Sequence, residues 1–275
     1  MHQKDTRHHR GDWNKQALDP TVKSLLFTIL AYLIGSIPVG LIVCHVWAGI
    51  DIREYGSGNI GMTNVYRCLR DSHGHLPWVM TLALDFAKGY IPVHLALIWL
   101  GRSGGGAEYM YPQFYSTYVG LVVLAVMLGN LYPIYVSFRG GKGIATGLGV
   151  FSALIGFYVL IPISIFAIFL LASRMVSIGS LAAIISVPAT FYIMGMHQWG
   201  LFNPGNRDTA ATPGIFVGLT TIIALVIIFK HKGNIQRIIK GKEPKISLGR
   251  SIFKSSETGQ AEPAEQAEVK ADAEK

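Results

Sequence analysis

Apolar runs of membrane-spanning length recur along almost the whole chain, near 24–49, 77–100, 116–137, 157–173, 177–197 and 213–230, with a shorter piece near 142–156. A hydrocarbon layer of about 30 Å needs roughly 20 apolar residues in one helix. With 51% hydrophobic and only 15% charged residues, the chain has too little polar surface to clothe that many runs in water. The runs are continuous, not alternating decamers, so they specify helices and exclude a barrel. The expected fold is all-α: a polytopic helical membrane protein.

The stretch 142–173, "KGIATGLGVFSALIGFYVLIPISIFAIFLLAS", is too long for one crossing at about 1.5 Å per residue, and Gly156 and Pro162 divide it into two short helices. That gives about seven spans, with six as the alternative. Seven spans with the N-terminus outside put Arg53, Arg67, Arg70, Arg139, Lys142, Arg174, Lys230, Lys232 and Arg237 on the cytoplasmic side, as lysine and arginine placement demands. The basic tail, with Lys4, Arg7, Arg10, Lys15 and Lys23, fits six spans better.

Residues 1–23 form a polar, histidine-rich tail, and the apolar run behind them is too long for a removable signal peptide. Residues 24–246 form the membrane domain. Residues 247–275 end in an Ala/Glu-rich segment of disordered composition. Six acids lie in 257–275, so the whole-chain charge of +8 understates a basic membrane portion. Its cations flank membrane spans, which explains them without a nucleic-acid partner. Cys44 and Cys68 show no CxxC and no His/Cys cluster, so neither a metal nor a disulfide is expected.

Four polar islands interrupt the apolar background, and the topology gathers them on one face. In "GSGNIGMTNVYR", Gly56, Gly58 and Gly61 allow positive φ and leave N–H groups uncovered, while Ser57, Asn59, Thr63 and Asn64 add short donors. Together with Arg67 they make a nest for an anion rather than a plain turn. In "LDFAKGYIP", Asp85 and Lys88 share a helix face; they either neutralise each other or Lys88 is a point charge for phosphate. "GNLYPIYVSFRGGKGIATGLGV" places Lys142 and the glycines Gly140, Gly141 and Gly143 at a helix start, an anion site by its free N–H groups. It is no nucleotide loop, because GxxxxGK[ST] needs Gly at 136 and Ser or Thr at 143, where the chain has Val136 and Gly143. Last, "SRMVS" (173–177) joins "KHKGNIQRIIKGKEP", in which His231, Asn234 and Arg237 fall on one helix side. Contact with anionic lipid would account for the lysines of that segment but not for His231 and Asn234.

The order of "YLIGSIPVG", "DIREYGSGNIGMTNVYR", "LDFAKG", "GNLYPIYVSFRGGKGIATGLGV", "SRMVSIGSL" and "KHKGNIQRIIKGKEPK", over residues 25–246, resembles the PlsY family of bacterial acyl-phosphate:glycerol-3-phosphate acyltransferases. The resemblance implies a seven-helix enzyme of the inner (cytoplasmic) membrane with its site facing the cytoplasm. It implies acyl transfer from acyl phosphate to the 1-hydroxyl of sn-glycerol 3-phosphate, giving lysophosphatidic acid, without a cofactor or metal. The lipid bilayer and the soluble enzyme that makes acyl phosphate are the implied partners. Ser57, Asn59, Arg67, Lys88 and Lys142 suit phosphate recognition, with Gly58, Thr63, Asn64 and the glycine loops assisting. By resemblance, Ser36, Ser177, His231, Asn234 and Glu243 join the pocket, with His231, Asn234, Lys142 and Ser177 in the catalytic group.

The chemistry fits these residues. Both substrates carry phosphate and one is also apolar, so two anion cradles must adjoin a greasy groove. Phosphate is a good leaving group, so no acyl-enzyme is required. The chain has no GxSxG elbow, and His45 is followed five positions on by Ile50, which removes an HxxxxD motif. Direct transfer with electrostatic stabilisation is therefore expected, the alcohol proton passing to His231 or to the departing phosphate. One position departs from the family: Gly129 is followed by Asn130, where the family usually has His, and asparagine cannot carry a proton. Two other classes compete, an organophosphate carrier with broken helices and a lipid-binding scaffold. The motifs lie at helix ends, without an internal repeat, which disfavours the carrier; the Asn and Ser content of the loops disfavours the scaffold.

Overall fold

The computed structural model describes residues 20–102, 112–198 and 212–246. The polar N-terminal tail up to residue 19 and the segment 247–275 lie outside the described residues. The described chain is helical throughout: α1 (Pro20–Gly35), α2 (Val39–Ala48), α3 (Met62–His73), α4 (Leu76–Arg102), α5 (Pro112–Leu131), α6 (Ile144–Ile155), α7 (Leu160–Ser173), α8 (Val176–Met196), α9 (Pro213–Lys230) and α10 (Lys232–Ile239). Six stretches are long and apolar enough to cross a bilayer, counting α1 with α2 and α6 with α7 as one each.

Two of these six stretches are bent. The first breaks at Ser36–Pro38, because Pro38 supplies no N–H and pushes Ile37 out of helical geometry. The break at Gly156 (φ +52°) separates α6 from α7, as the glycine in the sequence predicts. Here geometry goes further than length. Asn234 of α10 bonds both Lys142, just before α6, and Ser177, at the start of α8. The stretch between them therefore leaves one end of the bundle and returns to it. Its arms have 12 and 14 residues, roughly 18 and 21 Å by helical rise. α6 packs on α4, α7 packs on α8, and the arms scarcely touch each other. They form a V whose apex is the short 3-10 turn Gly156–Val159.

The helices close around a core that includes Val93, Val123, Met127, Phe151, Phe191, Phe216 and Ile227. Phe191 stacks on Phe216 across the α8–α9 hairpin, with ring centroids 6.0 Å apart. A second cluster, Cys44, Ile52, Ile60, Val65 and Leu69, seats the first glycine loop against α2 and α3. Large apolar side chains cover the outside, among them Val46, Ile168, Leu171, Leu225 and Phe229, as a lipid-facing surface requires.

Glycines set the closest helix approaches. A Cβ on Gly149 would lie 2.1 Å from the Phe86 carbonyl oxygen, and one on Gly89 would lie 2.1 Å from that of Thr146. The α4–α6 contact is therefore backbone against backbone, the small-residue packing of membrane interiors. Gly149→Val should force these helices apart and lower the thermal midpoint in detergent by about 5 °C, given the ~1–3 kcal/mol of overpacking. Gly218→Ala, where an added Cβ meets nothing within 4 Å, should leave it unchanged or raise it; thermal unfolding of both variants checks the contrast.

Candidate active site

The first glycine loop is built by Asn64, which is 2% exposed. Its Oδ1 accepts the Ser57 N–H at 2.9 Å, and its Nδ2 donates to the carbonyls of Tyr55 (3.0 Å) and Ile52 (3.3 Å). Asn59 Oδ1 accepts the Gly61 N–H at 2.9 Å and tightens the turn into α3. Gly56 and Gly58 adopt φ of +59° and +68°, which a side chain would resist. The exposed Arg67 follows on α3 and makes no ion pair among the described residues.

Gly140 lets the second loop pass under α5, since a Cβ there would sit 2.3 Å from the Asn130 carbonyl oxygen. Gly143, at φ +82°, turns the chain into α6, and the first α6 N–H groups have no carbonyl a turn behind them. Lys142 stands at that N-terminus and donates to Asn234 Oδ1 at 2.5 Å. Asn234 Nδ2 donates to Ser177 Oγ (2.6 Å) and to Glu243 Oε1 (2.8 Å); Ser177 Oγ donates to the same Glu243 oxygen. Arg237 holds the second Glu243 oxygen at 2.8 Å. One buried amide thus ties together the third island and both parts of the fourth.

These elements enclose a cavity of about 390 Å³. Its polar end presents Ser57, Asn59, Thr63, Asn64, Arg67, Gly141, Lys142, Gly143, Ser177, His231, Asn234 and Arg237. Its apolar end runs into the V between α6 and α7, past Leu148, Phe151, Pro162, Phe166, Ile184 and Val187. Cations and helix-start amides at one end, with hydrocarbon at the other, suit a ligand that joins an anion to an acyl chain.

Five residues assigned from the sequence take other places. Ser36 is fully buried and donates to the Tyr32 carbonyl at 2.8 Å, away from the cavity, because it closes the last turn of α1. Lys88 touches the cavity, but its ammonium lies 2.8 Å from both Asp85 Oδ1 and the Ile37 carbonyl, so its charge is satisfied within the fold. It staples the break between α1 and α2 instead of serving as a free phosphate charge. Gly58 and Gly140 shape their loops without lining the cavity. Glu243 stands behind the wall and orients Ser177, Asn234 and Arg237.

The electrostatics single out three groups. Burial pushes the Lys142 ammonium down to about 8; Arg237 and Arg67 add to the lowering, while Glu243 opposes it. Burial likewise depresses His231 to about 4, against the opposing hydrogen bond to Ile227. His231 is therefore neutral at pH 7. Its Nδ1 pairs with the Ile227 carbonyl at 2.8 Å, which assigns the proton to Nδ1 and the lone pair to Nε2. Burial raises the Glu243 carboxyl, but the hydrogen bonds from Ser177, Asn234 and Arg237 outweigh it and hold the group ionised below its usual range.

The family described as glycerol-3-phosphate acyltransferase matches residues 25–241. The chain belongs to that family. It is 38% identical over 224 residues to the glycerol-3-phosphate acyltransferase of Endomicrobium trichonymphae, covering 82% of this chain and 96% of the relative. It is 36% identical over 222 residues to that of Geobacter sulfurreducens, with 81% and 97% covered. Two crystal structures of PlsY (YgiH), an integral membrane glycerol 3-phosphate acyltransferase, share the fold over 82% of this chain and 96% of theirs. The glycerol 3-phosphate form gives a TM-score of 0.64 at 32% identity, and the lysophosphatidic acid form 0.63 at 30%. The protein is thus a membrane-embedded acyltransferase, and the carrier and scaffold readings fall away.

The greasy groove is present, but Asp85, Thr146 and the particular residues of the apolar wall are not marked as cavity groups by the sequence. Thr146 sits in an apolar helix and the wall residues sit in apolar runs, so only the fold marks them. Because the Lys142 charge is present below about pH 8 and lost above it, kcat/KM for a phosphorylated acceptor should decline with a midpoint near 8, well before an ordinary lysine titrates. Lys142→Arg should move this decline out of the measured range, since guanidinium stays charged. Steady-state kinetics from neutral to alkaline pH read both curves.

Proposed function

We propose that the protein transfers a fatty acyl group from acyl phosphate to the 1-hydroxyl of sn-glycerol 3-phosphate, releasing phosphate and lysophosphatidic acid. The observation that carries this reading is the single cavity that joins a cationic, amide-rich end to an apolar V. The acyl chain of the donor occupies the V. Its anhydride lies at the α6 N-terminus, and the acceptor phosphate is held by Arg67 and the first glycine loop. The lysophosphatidic acid form of the related PlsY structure supports a site that holds phosphate and acyl chain together.

The acceptor 1-hydroxyl attacks the acyl carbon, the new ester C–O bond forms, and the C–O bond to phosphate breaks. Negative charge developing on the acyl oxygen meets the α6 N–H groups and Lys142. Ser177 and Asn234, fixed by Glu243, orient the alcohol. His231 Nε2 carries the lone pair that takes the proton, with the departing phosphate as the other acceptor. Neither a metal nor a cofactor enters this scheme.

The site face is cytoplasmic in this reading. It collects Arg67, Lys142, Arg174 and Arg237, as the placement of positive charge on the inner side demands. The returning V makes seven crossings, with the N-terminus outside a bacterial inner membrane. The soluble enzyme that makes acyl phosphate would deliver the donor at that face.

Purified protein given palmitoyl phosphate and glycerol 3-phosphate should release phosphate and lysophosphatidate one for one, while palmitoyl-CoA as donor should give none. Product from palmitoyl-CoA alone would overturn the donor assignment. For His231→Ala, a rate down about 10²-fold or more supports the base; near-normal turnover would assign the proton to phosphate.

A further inference from the structure

Asn130 stands one residue before the end of α5 and is 6% exposed. Its backbone carbonyl accepts the Gly141 N–H at 3.2 Å, so its main chain is committed to the second glycine loop. Its side chain is not committed. The amide lines the cavity and makes no hydrogen bond among the described residues, whereas the amide of Asn64 makes four and that of Asn234 three. An amide turned to a cavity with no protein partner marks a place where a further polar partner belongs. A Cβ on Gly141 would lie 3.8 Å from Asn130 Nδ2, 3.9 Å from Oδ1 and 3.9 Å from Ile60. The amide therefore faces the polar end of the cavity, between the two glycine loops, and not the apolar V.

The chemistry of an amide narrows that partner. Nδ2 donates and Oδ1 accepts. Phosphate and carbonyl oxygens can satisfy Nδ2 but leave Oδ1 facing an acceptor. A hydroxyl satisfies Oδ1. Acyl phosphate has no hydroxyl to offer, whereas glycerol 3-phosphate has two. Its 1-hydroxyl is the reacting group and belongs with His231, Ser177 and Asn234 on the α8–α10 wall. We infer that the Asn130 amide recognises the central hydroxyl of glycerol 3-phosphate, Oδ1 accepting that O–H and Nδ2 donating to an oxygen of the same molecule. Asn130 is in this role a specificity residue for the acceptor, and the inference rests on glycerol 3-phosphate being acylated at its 1-hydroxyl.

The test compares glycerol 3-phosphate with 3-hydroxypropyl phosphate, which lacks only the central hydroxyl. With the full chain in detergent, loss of the hydroxyl should lower kcat/KM about tenfold, the size of one good hydrogen bond. In Asn130→Ala the two acceptors should differ by less than about twofold, and KM for palmitoyl phosphate should stay within about twofold of wild type. An Asn130→Ala enzyme that keeps the full preference for glycerol 3-phosphate overturns the inference. So does one that loses equally on both acceptors, since that is the mark of a structural residue. Thermal unfolding checks that the variant folds; if it does not, Asn130→Ser is scored on the same ratio. Calorimetric Kd values for the two acceptors give that ratio without turnover, so a wrong donor assignment and a wrong role for Asn130 show separately.

Discussion

The site depends on one buried side chain. The Asn234 amide accepts from Lys142 and donates to Ser177 and Glu243, so residues nearly a hundred positions apart share a single geometry. A neutral amide does this well because it presents acceptor and donors at once. A charged residue there would have to be compensated in a region that already holds Lys142, Arg237 and Glu243. Glu243 supplies the counter-charge from behind, which lets the cations face the cavity without repelling one another apart. The same contacts fix topology, because the V of α6 and α7 has to close back on α10.

Much of the fold was legible in the sequence, and for a plain reason. Hydrocarbon offers no hydrogen bonds, so long apolar runs must be helices, and Gly156 marked the apex of the V through the positive φ it adopts. The islands were legible because glycine, lysine and asparagine are costly in lipid and stand out against leucine and isoleucine. His231, Asn234 and Arg237 do share the cavity wall that their spacing implied.

What the sequence could not divide was binding from building. Asn64 and Lys88 looked like ligand-seeking groups, yet one staples a loop and the other closes a helix break. Their partners are backbone carbonyls of Tyr55 and Ile37, and a carbonyl leaves no trace in residue identity. Ser36 misled for the same reason, its hydroxyl being bonded to Tyr32 one turn back. Thr146 illustrates the converse, a buried hydroxyl whose lack of a partner is visible only once every neighbour is placed, and the Asn130 amide is seen to line the cavity only in the fold.

The glycine contacts between α4 and α6 carry a mechanical consequence. Where two backbones meet directly, no side chain can change rotamer to absorb a displacement, so the wall that holds Lys142 and the α6 N-terminus is stiff. The opposite wall is α7, which packs on α8 and barely meets α6, so the two arms of the V belong to different packed helix pairs joined at the Gly156 apex. The cavity is thus rigid where reacting atoms need alignment within fractions of an ångström, while its hydrocarbon end lies on the seam between two separately packed helix pairs.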